Sequence, residues 1–300
     1  MDATCTLAGQ GCVRRLVRWF CVAILAAGMA GCATVRIGYE FGDSLLFTWA
    51  DGYLDFDDAQ EAFTRVKLQA WLDWHRRTEL PAYVAMIADA QGALAADVSA
   101  ADLLTFEVRV RTRLREAVER QASDLARLAL MLSAAQIDRL ERKLAEGTEK
   151  ARRDRAADER TLDTRTARYV KRLDPWLGDL RADQRVELKS LLATRPSTWE
   201  AALASRQRWQ AELVRLLRRV QTERSDLAAT REALLAWIRQ VADPIDPTNP
   251  ARALQARTEQ AEIVARMLNS ADRDQRATLV RRLAGYAEDF RVLAARAQSR

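Results

Sequence analysis

Residues 198–242 read TWEAALASRQRWQAELVRLLRRVQTERSDLAATREALLAWIRQVA, and their spacing decides the fold class. Leu213, Val220, Leu227, Leu234 and Val241 recur every seven residues, with Leu216, Leu217, Trp237 and Ile238 in the adjoining seam. Such a repeat keeps one stripe of an α-helix turned toward a partner, whereas a strand would show strict alternation. Read without interruption, the stretch predicts one helix of about 40 residues, about 60 Å long at 1.5 Å per residue.

Working outward, Asp243-Pro244-Ile245-Asp246-Pro247-Thr248-Asn249-Pro250 ends that helix, because each proline lacks an N–H and turns its predecessor away from helical geometry. Residues 244–250 therefore form a linker, and 251–300 a C-terminal helical pair. In the last helix Leu279, Leu283, Tyr286, Phe290, Leu293 and Ala297 fall three and four apart, which predicts a docked C-terminus. On the other side, residues 58–77 carry Phe63, Val66, Ala70, Trp71 and Trp74 at helical spacing, and 104–132 carry Val110, Leu114, Val118, Leu125, Leu128 and Leu132, each predicting one buried stripe. With only 11 Gly and 6 Pro among 300 residues, chain breakers are scarce. The expectation is an all-α fold, an elongated multi-helix bundle or array of long amphipathic helices, its main helical region spanning 43–243.

Several helix starts share one pattern: Asp57-Asp58-Ala59-Gln60, Ser133-Ala134-Ala135-Gln136 and Asp272-Arg273-Asp274-Gln275, with Ser99-Ala100-Ala101-Asp102 and Arg181-Ala182-Asp183-Gln184 as looser versions. These predict capping boxes, in which the first side chain accepts from the third helical N–H and the residue there reaches back to the cap. Leu132-Ser133-Ala134-Ala135-Gln136 also resembles the Leu-Thr-x-x-Gln motif of Spy- and CpxP-type periplasmic helical chaperones. It fits ordinary helix capping as well as a shared function.

At the N-terminus Arg14, Arg15 and Arg18 precede an apolar run from Trp19 to Ala30, which ends in Ala30-Gly31-Cys32. A basic region, a dozen apolar residues and small residues before a cysteine form the pattern of a lipoprotein signal, too short for the ~20 residues of a membrane span. Residues 1–31 are thus expected to be a signal peptide, with Val13 an alternative start, Cys32 the lipid-attachment residue bearing diacylglycerol and palmitate-type acyl chains, and 32–42 a lipidated tether. Cys5, Cys12, Cys21 and Cys32 are the only cysteines, so a cleaved chain keeps no thiol beyond the anchor. Ala33 in place of aspartate after the cysteine points to the periplasmic face of the outer membrane.

The formal charge of +6 falls to +4 without residues 1–31, which hold three arginines and Asp2. From Asp138 to Asp174 acids and bases interleave, as helical neighbours that neutralise one another. No nucleic-acid partner is expected in that compartment.

Trp71, Trp74, His75, Arg76, Arg77 and Glu79 lie within a few helical turns. They are a candidate interaction patch, aromatic and polar; the alternative is a core seam in which both tryptophans are buried, His75 bonds Glu79 and the arginines face solvent. With one histidine and no cysteine beyond position 32, a zinc site lacks its usual ligands. Asp51, Asp55, Asp57 and Asp58 lack the ligand alternation and central glycine of a calcium loop and read as caps and surface acids. Neither a phosphate loop nor a nucleophile elbow occurs, so no cofactor, metal or catalytic residue is expected, and an enzyme is the third reading.

Cys32, Tyr39, Trp49, Tyr53, Asp55, Asp58 and Gln60, followed by Trp74-His75-Arg76-Arg77 and Glu79-Leu80-Pro81, resemble the start of an uncharacterised family of proteobacterial putative lipoproteins, a domain of unknown function. The resemblance covers Tyr39 to Tyr83 and implies a lipoprotein without implying an activity. The functional expectation is an outer-membrane-anchored protein, not an enzyme, that binds other proteins in a chaperone-like way. The alternative is a scaffolding lipoprotein to which a 60 Å helix would give reach.

Overall fold

The structure, a computed structural model, describes residues 33–243 and 248–299. Among these, twelve α-helices and no strand occur: α1 (Ala33–Glu40), α2 (Gly42–Leu54), α3 (Asp58–Ala93), α4 (Ala100–Glu119), α5 (Ala122–Met131), α6 (Ala134–Glu159), α7 (Leu162–Leu177), α8 (Ala182–Ala193), α9 (Trp199–Thr222), α10 (Leu227–Ala242), α11 (Pro250–Asn269) and α12 (Arg273–Gln298). The fold is an all-α multi-helix array.

Its longest helix is α3, not the stretch from 198 to 242. That stretch is a hairpin, because Arg224 takes a left-handed φ of 48°. Ser225 N–H reaches back to the Val220 carbonyl at 3.2 Å and Arg224 N–H to that of Gln221 at 3.4 Å, the two bonds of a Schellman ending. Asp226 then caps α10, accepting from Ala229 N–H at 2.7 Å. The seven-residue repeat survives the turn because both arms face one core: Val214, Val220 and Leu234 belong to the same cluster. The predicted 60 Å helix is thus replaced by arms of 24 and 16 residues, about 36 and 24 Å long.

Residues 104–132 are likewise two helices. Trp71 Nε1 donates to the Ala117 carbonyl at 3.0 Å, and Gln121 N–H, which would have used that oxygen in an unbroken helix, bonds Val118 instead at 2.9 Å. The stripe expected to be buried is half exposed, since Leu114 and Val118 are open while Ala117, Ala122, Ala126 and Ala129 are the residues packed inside. Ala126 and Ala129 thereby pack into one cluster with Ile137, Leu217 and Leu234.

Helix α3 extends past residue 77 to Ala93, with Pro81 in its interior. The lost backbone bond is offset by burial on both sides of the helix, for Leu80 is fully buried against Leu293 and Ala294 of α12, which lies along α3. Asp289 of α12, completely buried, accepts from Arg36 Nε of α1 at 2.6 Å. Residues 33–40, expected as tether, are therefore a docked helix. Of the linker, 244–247 lie outside the described residues; α11 begins at Pro250 with Asn249 as its cap.

Two larger clusters complete the interior, one from α5, α6, α9 and α10 around Ile137 and Leu217, the other from α7, α8, α11 and α12 around Leu188 and Met267. At each, two helix starts are joined by a reciprocal glutamine pair. Gln60 and Gln136 exchange amide bonds at 3.1 and 2.6 Å, and Gln184 and Gln275 do so at 2.9 and 3.0 Å. Each glutamine also caps its own helix: its Oε1 accepts from the N–H of Asp57, Ser133, Arg181 or Asp272. One side chain thus closes a helix end and ties it to a helix at least 71 residues away, as with Gln60 and the Met131 carbonyl.

Candidate functional site

The capping box at Asp57 sets the phase of α3, and four-residue steps then put Trp71, His75 and Glu79 on one side of it. That side faces α1 and α4. His75 is buried, its Nδ1 3.1 Å from Tyr39 Oη and its Nε2 3.4 Å from Tyr83 Oη. A neutral imidazole donates at one nitrogen and accepts at the other, so one tyrosine receives its hydrogen and the other supplies one. The rings of Trp71, Tyr83, Tyr39 and Trp74 surround it at centroid distances of 5.2, 5.6, 5.9 and 6.3 Å.

Burial, reinforced by the adjacent Arg76 cation, pushes the His75 pKa down to about 4. Burial also raises the hydroxyls of Tyr39 and Tyr83 above the ordinary phenol value, with Tyr83 and Glu79 respectively adding to the rise and Arg76 and Arg113 opposing it. Glu79, 3% exposed, is raised by burial and by Glu116 against the pull of Arg113, whose Nε stands 3.4 Å from Oε2. These shifts trace to desolvation of one interior network.

The six residues of the candidate patch do not share a surface. Trp71 bonds the α4 backbone, and Trp74 carries the Arg120 guanidinium 4.6 Å above its ring. Arg76 donates to the Tyr39 carbonyl at 2.6 Å and to Asp73 at 2.9 Å, pinning α1 to α3. His75 and Glu79 are buried, and Arg77 alone of the six is exposed. The expected His75–Glu79 bond is absent among the described residues, because two tyrosines occupy the imidazole nitrogens. Beside this network a cleft of about 310 Å³ lies between α2 and α3, lined in part by Gly42, Leu46, Leu72 and His75.

A larger opening lies elsewhere. Helices α4, α9 and α11 enclose a groove of about 470 Å³ lined by Leu103, Leu104, Val264 and a row of small residues, Ala201, Ala202, Ser205, Ala253, Ala256 and Ala261. Glu107 and Arg257 form an ion pair at its rim at 2.9 Å. With Asn269 bonded to Val98 and Arg257 to Glu107, α11 runs antiparallel to α4. It starts at Pro250, about seven residues beyond that pair, so the α4 stripe through Leu104, Glu107, Leu114 and Val118 outruns it. Leu114 and Val118, further along that stripe, stay 51% and 42% exposed. No motif announced this groove; the alanine-rich faces of 201–205 and 253–261 were its only trace.

Elsewhere the interleaved charges pair as expected, as in Lys143–Glu146 and Arg152–Glu149. Glu159 collects Arg155, Arg165 and Arg168. Burial alone would raise its carboxyl, but the Ser197 hydroxyl, Arg155 and Arg168 hold it below the usual range. Among the described residues no group of three metal-ligating side chains occurs, and no helix is long and apolar enough to cross a membrane. Residues 1–31, expected as a signal peptide, and Cys32, the expected lipid-attachment residue, lie outside the described residues.

Comparison with the curated proteins and with the solved structures gives no match, so the likeness to Spy- and CpxP-type chaperones rests on its five residues alone. Comparison with family models does give one, beginning later than Tyr39 and running far past Tyr83 to the end of α10. The chain belongs to the Family of unknown function (DUF6279), whose model matches residues 52–242.

Proposed function

We propose that this protein is an outer-membrane lipoprotein, anchored through Cys32 on the periplasmic side, that binds other proteins through the groove between α4, α9 and α11. The observation that carries this reading is the groove itself: a largely apolar trough with a floor of small residues, with Leu114 and Val118 exposed further along α4. Such a trough accepts the apolar face of a helix or an extended segment, and the Glu107–Arg257 pair at its rim supplies polar contacts. The floor makes few demands on side-chain shape, which suits many clients over one.

The scaffolding alternative drew on a helix of about 60 Å at 198–242 that the hairpin replaces; α3, with 36 residues, supplies a comparable reach of about 54 Å, but the groove on which this reading rests does not lie along it. The interior network at His75 has both ring nitrogens occupied and offers no exposed nucleophile, so it serves stability in this reading.

The test is suppression of aggregation of several unrelated denatured proteins by the lipidated chain in vesicles. Suppression near equimolar ratio, lost in Ala256→Trp and Ala202→Trp variants that fill the groove without lowering Tm, is the expected result. Absence of suppression together with one dominant crosslinked protein in cells would replace the chaperone reading with a dedicated scaffold.

A further inference from the structure

The first two helices carry an apolar row that the fold leaves uncovered. Ile37, Phe41, Leu45 and Trp49 stand four residues apart and are 43%, 53%, 41% and 65% exposed. The helical ladder continues through the junction of α1 and α2, with Phe41 N–H on the Ile37 carbonyl at 3.1 Å and Leu45 N–H on that of Phe41 at 2.9 Å, so the four share one side. The other side is fixed to the body: Phe47 is buried, Gly42 lies 3.5 Å from Leu72 if given a Cβ, Arg36 holds Asp289 and Arg76 holds the Tyr39 carbonyl. The row therefore stays on the outer side of α1 and α2, with Leu45 also bordering the cleft beside Leu72.

We propose that this row is a membrane-docking face that lies in the headgroup–acyl boundary of the phospholipid leaflet holding the Cys32 lipid. The proposal rests on the reading of Cys32 as the anchor. What selects a bilayer over other partners is the position of the row in the chain. Helix α1 begins one residue after Cys32, and at 1.5 Å per residue Ile37 lies about 6 Å and Trp49 about 24 Å from Ala33 along the helix. A helix tethered at its first residue to a bilayer, with aliphatic and aromatic side chains along one side, lies down on that bilayer. Phe and Trp suit the interface.

The neighbouring carboxylates are partnered: Glu40 with Arg296 at 3.3 Å, and Asp43 with the Gln69 amide at 3.4 Å. The exposed residues between members of the row include the neutral Ser44, Leu46 and Thr48. Since the face carries no basic cluster, its attachment is apolar and insensitive to salt.

The mature chain has no cysteine beyond Cys32, which allows fluorescent labelling at Leu45→Cys or Trp49→Cys, with Val186→Cys, 70% exposed on α8, as the control. The lipidated protein is placed in phosphatidylethanolamine–phosphatidylglycerol vesicles with brominated acyl chains. Labels at 45 and 49 are expected to be quenched several-fold more than at 186, equally at low and high salt. Quenching no greater than at 186 overturns the proposal. So does shielding from water without lipid quenching in a dimeric protein, which assigns the row to a second copy. The mass of the N-terminal peptide reports the anchor separately. If Cys32 proves unlipidated, quenching on added vesicles keeps the docking face while the anchor reading falls, and no quenching overturns both.

Discussion

Replacing Gln184 by alanine tests whether the paired glutamines are local caps or ties across the fold. Gln184 is 1% exposed, and its amide nitrogen faces the Ser270 carbonyl at 3.2 Å, the Ser270 hydroxyl at 3.1 Å and Gln275 Oε1 at 2.9 Å. Its oxygen accepts from Arg181 N–H at 2.9 Å and from Gln275 Nε2 at 3.0 Å. An isolated cap is worth about 1 kcal/mol. Here the substitution also strands buried partners and leaves a void, and with three or four interactions at about 1 kcal/mol each the loss comes to about 3–4 kcal/mol. The assay is urea unfolding of residues 33–300, with Asn249→Ala, an exposed cap, as the reference at about 1 kcal/mol. A cycle with Gln275→Ala should return a coupling above about 1 kcal/mol. A loss for Gln184→Ala no larger than for Asn249→Ala, with additive double-mutant energies, would refute the reasoning.

Three further outcomes follow from particular contacts. His75, the sole histidine, has a pKa pushed down to about 4, so its ring carbon–proton NMR signals should hold the neutral position from pH 8 to about 5. A midpoint near the ordinary 6.5 would contradict the buried network. Because the unfolded imidazole binds its proton first, stability is full above the unfolded pKa and declines as pH falls from about 6.5 toward 4, with no further contribution below the folded value. Arg36→Ala strands the fully buried Asp289 carboxylate and should cost about 3 kcal/mol, most of it recovered by adding Asp289→Leu; failure of the second change to recover stability would show that Arg36 acts through other contacts. Arg224→Gly relieves the left-handed backbone at φ 48° and should raise stability by up to about 1 kcal/mol in thermal unfolding, whereas a loss would mean that the arginine side chain holds the turn.

Helical content and helix starts were legible because their signals are local. A capping box is complete within four residues, and those at Asp57, Ser99 and Asp272 form as their sequences imply. The break at residues 223–226 was masked because both arms of the hairpin feed one core, which carries the seven-residue rhythm across the turn, and because arginine fills a position where glycine would have announced it. The cap residue Asp226, three residues before Ala229, was the surviving sign. The break at 120–121 depends on a tryptophan 46 residues upstream taking a carbonyl, which spacing within the helix does not reveal.

The site was less legible than the fold. Four-residue spacing brought Trp71, His75 and Glu79 to one side of α3 but gave no indication that Tyr39 and Tyr83 would claim the imidazole, or that α1 and α4 would cover it. The groove joins Leu104 to Ala202 and Ala256, on three helices separated by about a hundred and about fifty residues. Its distinctive residues are alanines, which a helix tolerates anywhere and which therefore carry little positional information.

The central claim is that the groove between α4, α9 and α11 holds client proteins in the envelope. The most direct measurement places a photo-crosslinking residue at Ala256 in the lipidated protein in living cells, with the same residue at exposed Val186 as control. The account predicts that Ala256 captures several different envelope proteins under protein-unfolding stress and that Val186 captures none of them. Equal labelling at both positions, or none at Ala256, would contradict it.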